Sequence, residues 1–239
     1  MSHLLELRDL CIRTPDRVLV ENVNVDVFQG EITAVMGPSG AGKSLTARAC
    51  MGVLDVEPGL SAGSLRYPAH SDRDWFQDVR GGRSQGKLLK ETRLMRGAYV
   101  TYSPQAASSA LNPGRTIGQQ LALAVARREG GCSDVVAAVR ACLEDVGLPL
   151  SAAGGLPREL SGGMNQRAAL AIAVAPLPKV LIADEPETGL DPVLTRQIIE
   201  LMISVAKGKG CGMLLISHHQ DTVDRVADRV VHLPGRGHA

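Results

Sequence analysis

The sequence predicts an α/β fold built on a mostly parallel sheet with helices on both faces. Three observations carry that prediction. From residue 162 onward, apolar runs of strand length alternate with helical patterns, which calls for crossover connections between parallel strands. A compact apolar strand at residues 32–36 runs directly into the turn GPSGAGKS, and a helical pattern follows it. The length of 239 residues suffices for one sizeable domain, or a domain with a smaller lobe, around a proper core.

Taken in order, residues 4–13 and 23–31 alternate or cluster apolar side chains in short runs and predict strands. Residues 32–36 form the strand entering the turn, residues 43–52 the helix leaving it, and residues 63–67 a further short strand. Residues 68–97 show no clear period and contain RGGRSQGK; a surface insertion with a solvated basic loop is expected there, plus a short helix near 87–95. A strand resumes at 99–102. Residues 116–146 are helical and alanine-rich, with Ser133 or Asp134 as the N-cap before VVAAVRACLEDVG. Then come helix 162–175, strand 180–183, helix 192–206, strand 213–217, helix 221–227 and a short strand at 229–233.

Composition removes several functional classes. A formal net charge of +1 exerts no global pull on nucleic acid or anionic lipid. Aromatic residues make up 3% of the chain, too few for a base-stacking platform. The five cysteines (Cys11, Cys50, Cys132, Cys142, Cys211) form no C-x-x-C pair, so reduced thiols are expected rather than a zinc site or a disulfide framework. The opening MSHLLELRDL carries acidic residues where a secretory signal needs an apolar centre. The greasiest run, 168–183, is interrupted by Pro176, Pro178 and Lys179, and falls short of the ~20 residues a membrane span needs. A cytosolic chain that reaches a membrane only through a partner is expected.

GPSGAGKS at residues 37–44 fits G-x-x-x-x-G-K-[ST] between a strand and a helix. Gly37, Gly40 and Gly42 let the backbone wrap so that successive N–H groups face phosphate oxygens, and the helix N-terminus adds partial positive charge. Lys43 would reach the β- and γ-phosphates, and Ser44 would be a ligand of Mg²⁺. VLIADEP ends a buried strand with two adjacent acids, Asp184 for the metal and Glu185 for the attacking water. Two acids so close to phosphate would repel it without a cation between them. The strand MLLIS ends at His218, where a histidine can bridge phosphate and catalytic acid, although the neighbouring His219 leaves the choice open by position alone. His218, His219 and His232 lack a cysteine or carboxylate at metal-site spacing. LSGGMNQR, residues 160–167, is a second small-residue turn before a helix, this time without a lysine.

GPSGAGKS, the glutamine of SPQAASSALNP, LSGGMNQR, LIADEP, TGLD and ISH occur in this order. Over nearly the whole chain they resemble the nucleotide-binding subunit of an ABC transporter. The resemblance implies a single nucleotide-binding domain over residues 1–239: a P-loop ATPase core, an N-terminal antiparallel β lobe, and a helical subdomain at about 106–175 carrying the signature motif. It further implies ATP sandwiched head to tail between two cassettes. One side is a phosphate loop, here Gly37, Pro38, Ser39, Gly40, Ala41 and Gly42, then Lys43, Ser44 and Leu45. The other is the partner's signature turn, here Ser161, Gly162, Gly163 and Met164. A turn that closes over another subunit's nucleotide needs no lysine of its own.

By the same resemblance Gln105 is the Q-loop residue, touching Mg²⁺ together with Ser44 and Asp184 and sensing the membrane subunit. Glu185, His218 and Lys43 are the catalytic residues. His218 takes the switch-histidine position, with His219 where the family often has aspartate, and Asp191 is the acid that communicates across the dimer. Met164, the preceding PREL and the ALNP after Gln105 are similar to the dipeptide, oligopeptide and nickel uptake group. The implied protein is an ATPase powering import of a peptide, nickel or metal-chelate solute from the cytoplasmic face of the inner membrane, bound peripherally. Its implied partners are a second cassette, identical or not, two transmembrane permeases and an extracytoplasmic solute-binding protein, with no nucleic acid. The chain ends soon after Leu233, as a near-minimal cassette would. Alternatives are a soluble ABC ATPase acting on ribosomes or DNA, or a cassette that mainly completes a partner's site; the retained Lys43, Asp184, Glu185 and His218 weigh against the latter. Three departures stand out. IRTPDRVL, residues 12–19, has no aromatic to stack on adenine, leaving Arg13 or Arg17 to cover the base. The 68–97 insertion is long, and Glu187 and Thr188 replace a pair of small hydroxyl residues.

Overall fold

In the N-terminal segment β1 (His3–Arg13) lies between two antiparallel neighbours, β2 (Val18–Phe28) and β4 (Gly59–Arg66). Apolar alternation in β1 changes phase midway: Leu5 and Leu7 are buried, and so are Leu10 and Ile12. The slip falls where both ladders shift register and Asp9 adopts a φ of 48°. A bulge there returns the second half of the strand to the buried face. The computed structural model describes residues 2–79, 85–105, 110–187, 192–208 and 210–234.

The chain divides into two compact units, residues 1–96 with 212–239 and residues 97–211. In the first, β3 (Ile32–Met36) is flanked by β7 (Gly212–Ile216) and β8 (Arg229–His232), all parallel. Every residue of β3 and β7 is buried, as unbroken apolar runs in a parallel sheet require. Helix α1 (Lys43–Ala49) leaves the turn after β3, and α7 (Gln220–Val226) follows β7.

Residues 68–79 correct the expectation of a surface insertion, because part of this stretch packs inward. Trp75 and Phe76 are buried, the Trp75 backbone N–H donates to Leu65 O at 2.8 Å, and Asp74 Oδ1 accepts from the backbone N–H groups of Leu65 and Phe76. Tyr67 donates to Cys50 O at 2.9 Å, and Arg73 covers the Trp75 ring at 4.8 Å. After α2 (Gln85–Glu91), buried Thr92 comes so close to Gly52 that a Cβ there would lie 2.7 Å from its methyl. The Trp75 backbone and the Asp74 carboxylate thus tie the segment to Leu65 of β4, with the Trp75 and Phe76 rings buried. Residues 80–84 of RGGRSQGK lie outside the described residues.

The second unit pairs β5 (Val100–Ser103) with β6 (Val180–Asp184) in parallel. Between them run α3 (Ile117–Val125), α4 (Val135–Asp145) and α5 (Gly162–Val174), packed on one another, while α6 (Pro192–Gly208) packs on α5. Thr116 and Gln119 close a capping box at α3, satisfying two otherwise orphaned N–H groups. Asp134, rather than Ser133, caps α4 through Ala137 N–H at 2.9 Å.

Among the described residues no helix is long and apolar enough to cross a membrane. No disulfide joins any of the five cysteines; burial pushes the Cys50 thiol up to about 12, while Cys11 and Cys132 remain partly exposed. A thiolate-directed reagent at pH 8 should therefore modify Cys132 and Cys11 in the folded chain, and Cys50 only after unfolding. Mass mapping of the labelled peptides checks the order.

Candidate functional site

In the first unit the turn after β3 is built for backbone N–H groups. Gly37, Gly40 and Gly42 have φ of 154°, 80° and 94°. Gly42 has a second reason to be glycine: a Cβ would sit 2.5 Å from Val20 Cγ2 and 2.9 Å from Leu19 O. At Gly40 nothing lies within 4 Å, so conformation alone demands glycine. Pro38, Ser39 and Gly40 are exposed, whereas Ala41, Gly42 and Lys43 are buried, with Ser44 and Leu45 between. Lys43 Nζ donates to Gly37 O at 2.8 Å and Pro38 O at 3.1 Å, so the ammonium rests on the carbonyls of its own loop. A phosphate entering the turn would offer this cation a charged acceptor.

His218 is exposed two residues after β7, and its ring lies 4.1 Å from that of His219 at 37°. The His219 N–H donates to Ser217 Oγ at 3.0 Å, fixing the turn into α7. Arg13 and Arg17, the residues expected near adenine, are exposed where β1 turns into β2.

In the second unit β6 delivers Asp184 at its buried end, 4% exposed, and Tyr102 on β5 donates to Asp184 Oδ2 at 2.7 Å. Glu185 follows in the left-handed region, φ 45°, directly before Pro186. A side chain in that region, and a residue preceding proline, both resist this conformation; such strain costs about 1–3 kcal/mol and must be held by its surroundings. Two contacts do so. Gln105 Nε2 donates to Glu185 Oε2 at 3.1 Å, and the amide of buried Gln166 donates to Pro186 O at 2.9 Å. Gln105 and Glu185, widely separated in sequence, are thus brought together.

Gln166 sits on α5, the helix whose N-terminus carries the second small-residue turn. Ser161 caps that helix, its Oγ accepting from Met164 N–H at 3.3 Å. Asn165 donates to Pro157 O at 2.9 Å, tying the cap to the short 3-10 turn Pro157–Glu159. Ser161 and Gly162 are exposed, with Gly163 and Met164 half-buried. Gly162 differs from the loop glycines: its backbone is ordinary helix and a Cβ would meet nothing within 4 Å. The fold of this chain does not ask for glycine there.

Asp191 lies outside the described residues. Tyr102 and Gln166 were missed by sequence reasoning. Tyr102 carried one faint signal, an aromatic on the strand entering the Gln105 segment; Gln166 carried none beyond its place in LSGGMNQR. Oxygen donors predominate among the candidate metal ligands: a hydroxyl (Ser44), an amide (Gln105) and a buried carboxylate (Asp184). That set suits Mg²⁺, which takes one or two carboxylates and completes its shell with phosphates and water. Among the described residues there is no group of three or more His, Cys, Asp or Glu able to hold a metal ion.

Residues 20–188 match the sequence model of the family described as ABC transporter. The Dipeptide transport ATP-binding protein DppD of Haemophilus influenzae is 34% identical over 235 residues, 95% of this chain and 68% of the relative. The protein of the same name from Escherichia coli K12 is 35% identical over 89% of this chain and 62% of its own length. Oligopeptide transport ATP-binding protein OppD of Bacillus subtilis is 34% identical over 96% of this chain and 63% of its own. The chain thus spans about two thirds of the length of these relatives. Among solved structures, cbiO1 from Clostridium perfringens superposes with a TM-score of 0.76 at 23% identity, covering 98% of this chain and 85% of that one. The cassette MJ0796, a dimer in a post-hydrolysis state bound to ADP and Pi, gives 0.73 at 22% identity, covering 96% and 94%. At such identities the two structures establish the fold.

Proposed function

Because the chain belongs to the ABC transporter ATP-binding family, we propose that it is the ATP-hydrolysing subunit of an importer, driving uptake of a peptide, nickel or metal-chelate type solute through partner permeases. The observation that carries the hydrolytic reading is Glu185, a carboxylate held by Gln105 on a strained turn directly after a buried acid. Strain of this kind is retained where placement of a side chain matters more than local stability.

The roles follow from the chemistry of each group. Gly37 to Gly42 present N–H groups to phosphate, and Lys43 leaves the Gly37 and Pro38 carbonyls for the β- and γ-oxygens. Ser44, Gln105 and Asp184 hold Mg²⁺, which supplies charge neutralisation to the phosphates when bound. Glu185 takes the proton of the attacking water, and His218 donates to the γ-phosphate. Ser161, Gly162, Gly163 and Met164 act on nucleotide bound by a second cassette, offering the α5 N-terminus to its γ-phosphate. The open space at Gly162 supports this: glycine there serves close approach by something outside the chain. Asp191 is assigned to communication between the two cassettes.

The peptide class draws support from the relatives, which are named for dipeptide and oligopeptide transport. A second cassette, two permeases, a solute-binding protein and a peripheral position at the cytoplasmic face of the membrane complete the proposed assembly. The test is hydrolysis by the complex purified with its permeases and reconstituted in vesicles with its binding protein. Di- or oligopeptide should stimulate ATP turnover several-fold; turnover indifferent to every peptide and metal-chelate offered would count against an importer.

A further inference from the structure

Tyr102 touches the carboxylate assigned to the metal, yet none of the motifs includes it. Its reach follows from register. In the parallel β5–β6 pair Tyr102 lies opposite Ile182, and Asp184, two residues further on, projects from the same face of β6. A diagonal neighbour at that spacing is too far for a short side chain and within range of an aromatic one. The phenol donates to Asp184 Oδ2 at 2.7 Å. Asp184 is 4% exposed, so water does little to orient its carboxylate, and a donor on one named oxygen restrains rotation about Cβ–Cγ.

The ring of Tyr102 is half-buried and does not fill the core. It forms part of the wall of a cavity of about 410 Å³ in the same unit, beside Leu123, Ala124, Ile172 and Pro176. Removing the hydroxyl while keeping the ring therefore leaves packing nearly intact.

We propose that Tyr102 is a positioning residue for the metal site: its hydroxyl aims the Asp184 carboxylate at Mg²⁺. The proposal rests on the metal role given to Asp184 above. Donors to ligating carboxylates set ligand orientation, and their loss typically costs ~10- to 100-fold in metal affinity or activity.

The experiment measures Mn²⁺ binding, as a paramagnetic stand-in for Mg²⁺, by electron paramagnetic resonance on the full chain saturated with a non-hydrolysable ATP analogue. Tyr102→Phe should weaken Mn²⁺ binding about tenfold. Its affinity for the analogue in excess EDTA and its melting temperature should match those of the unaltered chain. Asp184→Asn is measured in parallel. If Asp184→Asn weakens Mn²⁺ binding and Tyr102→Phe does not, the positioning role is overturned while the metal assignment stands. If neither weakens it, the assignment of Asp184 falls, and the proposal with it. A Tyr102→Phe chain that melts more than about 5 °C lower, or loses analogue affinity without metal, would make the contact structural and equally overturn the proposal.

Discussion

Glu185→Gln should bind ATP at near-normal affinity and lose roughly 10²- to 10⁴-fold in turnover, the range for removing a positioned general base. The amide keeps the shape of the carboxylate, and Gln105 Nε2 retains an oxygen to donate to. The turn should thus hold, with Glu185 in the same left-handed backbone before Pro186. What disappears is the group that accepts the proton. With binding intact and hydrolysis blocked, the two-cassette, ATP-loaded form should accumulate, visible as a dimer in size-exclusion chromatography with ATP and absent with ADP. Steady-state phosphate release and nucleotide-binding titration separate the two effects. Hydrolysis within a factor of three of the unaltered chain would remove Glu185 from its role.

Complementation between two disabled chains should be equally decisive. Gly162→Asp places a carboxylate at the exposed start of α5, where a Cβ meets nothing within 4 Å and the chain should stay folded. In the proposed assembly the added charge would face phosphate bound by the opposing cassette and repel it. Lys43→Ala removes the cation from the other half of the pocket. Each chain as a homodimer should fall about 100-fold or more in hydrolysis. Mixed in equal amounts, the two should regain turnover from about a quarter of the sites, because a symmetric head-to-tail dimer pairs each intact phosphate loop with an intact signature turn in one site of every mixed dimer. A mixture of folded chains no more active than its components would rule out the shared pocket.

Legibility of the site followed the range of the forces involved. GPSGAGKS could be read because its chemistry is that of consecutive backbone groups: the three loop glycines take positive φ in the structure, as an N–H cradle requires. The strands β3, β6 and β7 could be read because burial on both faces leaves an unbroken apolar run. β2 was harder. A strand was expected at 23–31, but Val18–Phe28 forms it, because Val18 and Val20 pair with Arg13 and Ile12 of β1 across the turn. Residues 68–79 misled more deeply. Their lack of period reads as a surface loop, whereas Trp75 and Phe76 pack inward without belonging to any helix or strand.

The sequence by itself determined the order of elements, the glycine-rich turn after β3, the paired acids at the end of β6 and the family to which the chain belongs, since each is encoded within a few consecutive residues. Only the tertiary structure decided that Tyr102 holds Asp184, that Gln105 holds Glu185, that Gln166 braces the turn between the acids and the α5 helix, and that Gly162 is glycine for no internal reason. Those contacts join residues distant along the chain, and strand register together with helix packing, which no local pattern records, sets which side chains meet.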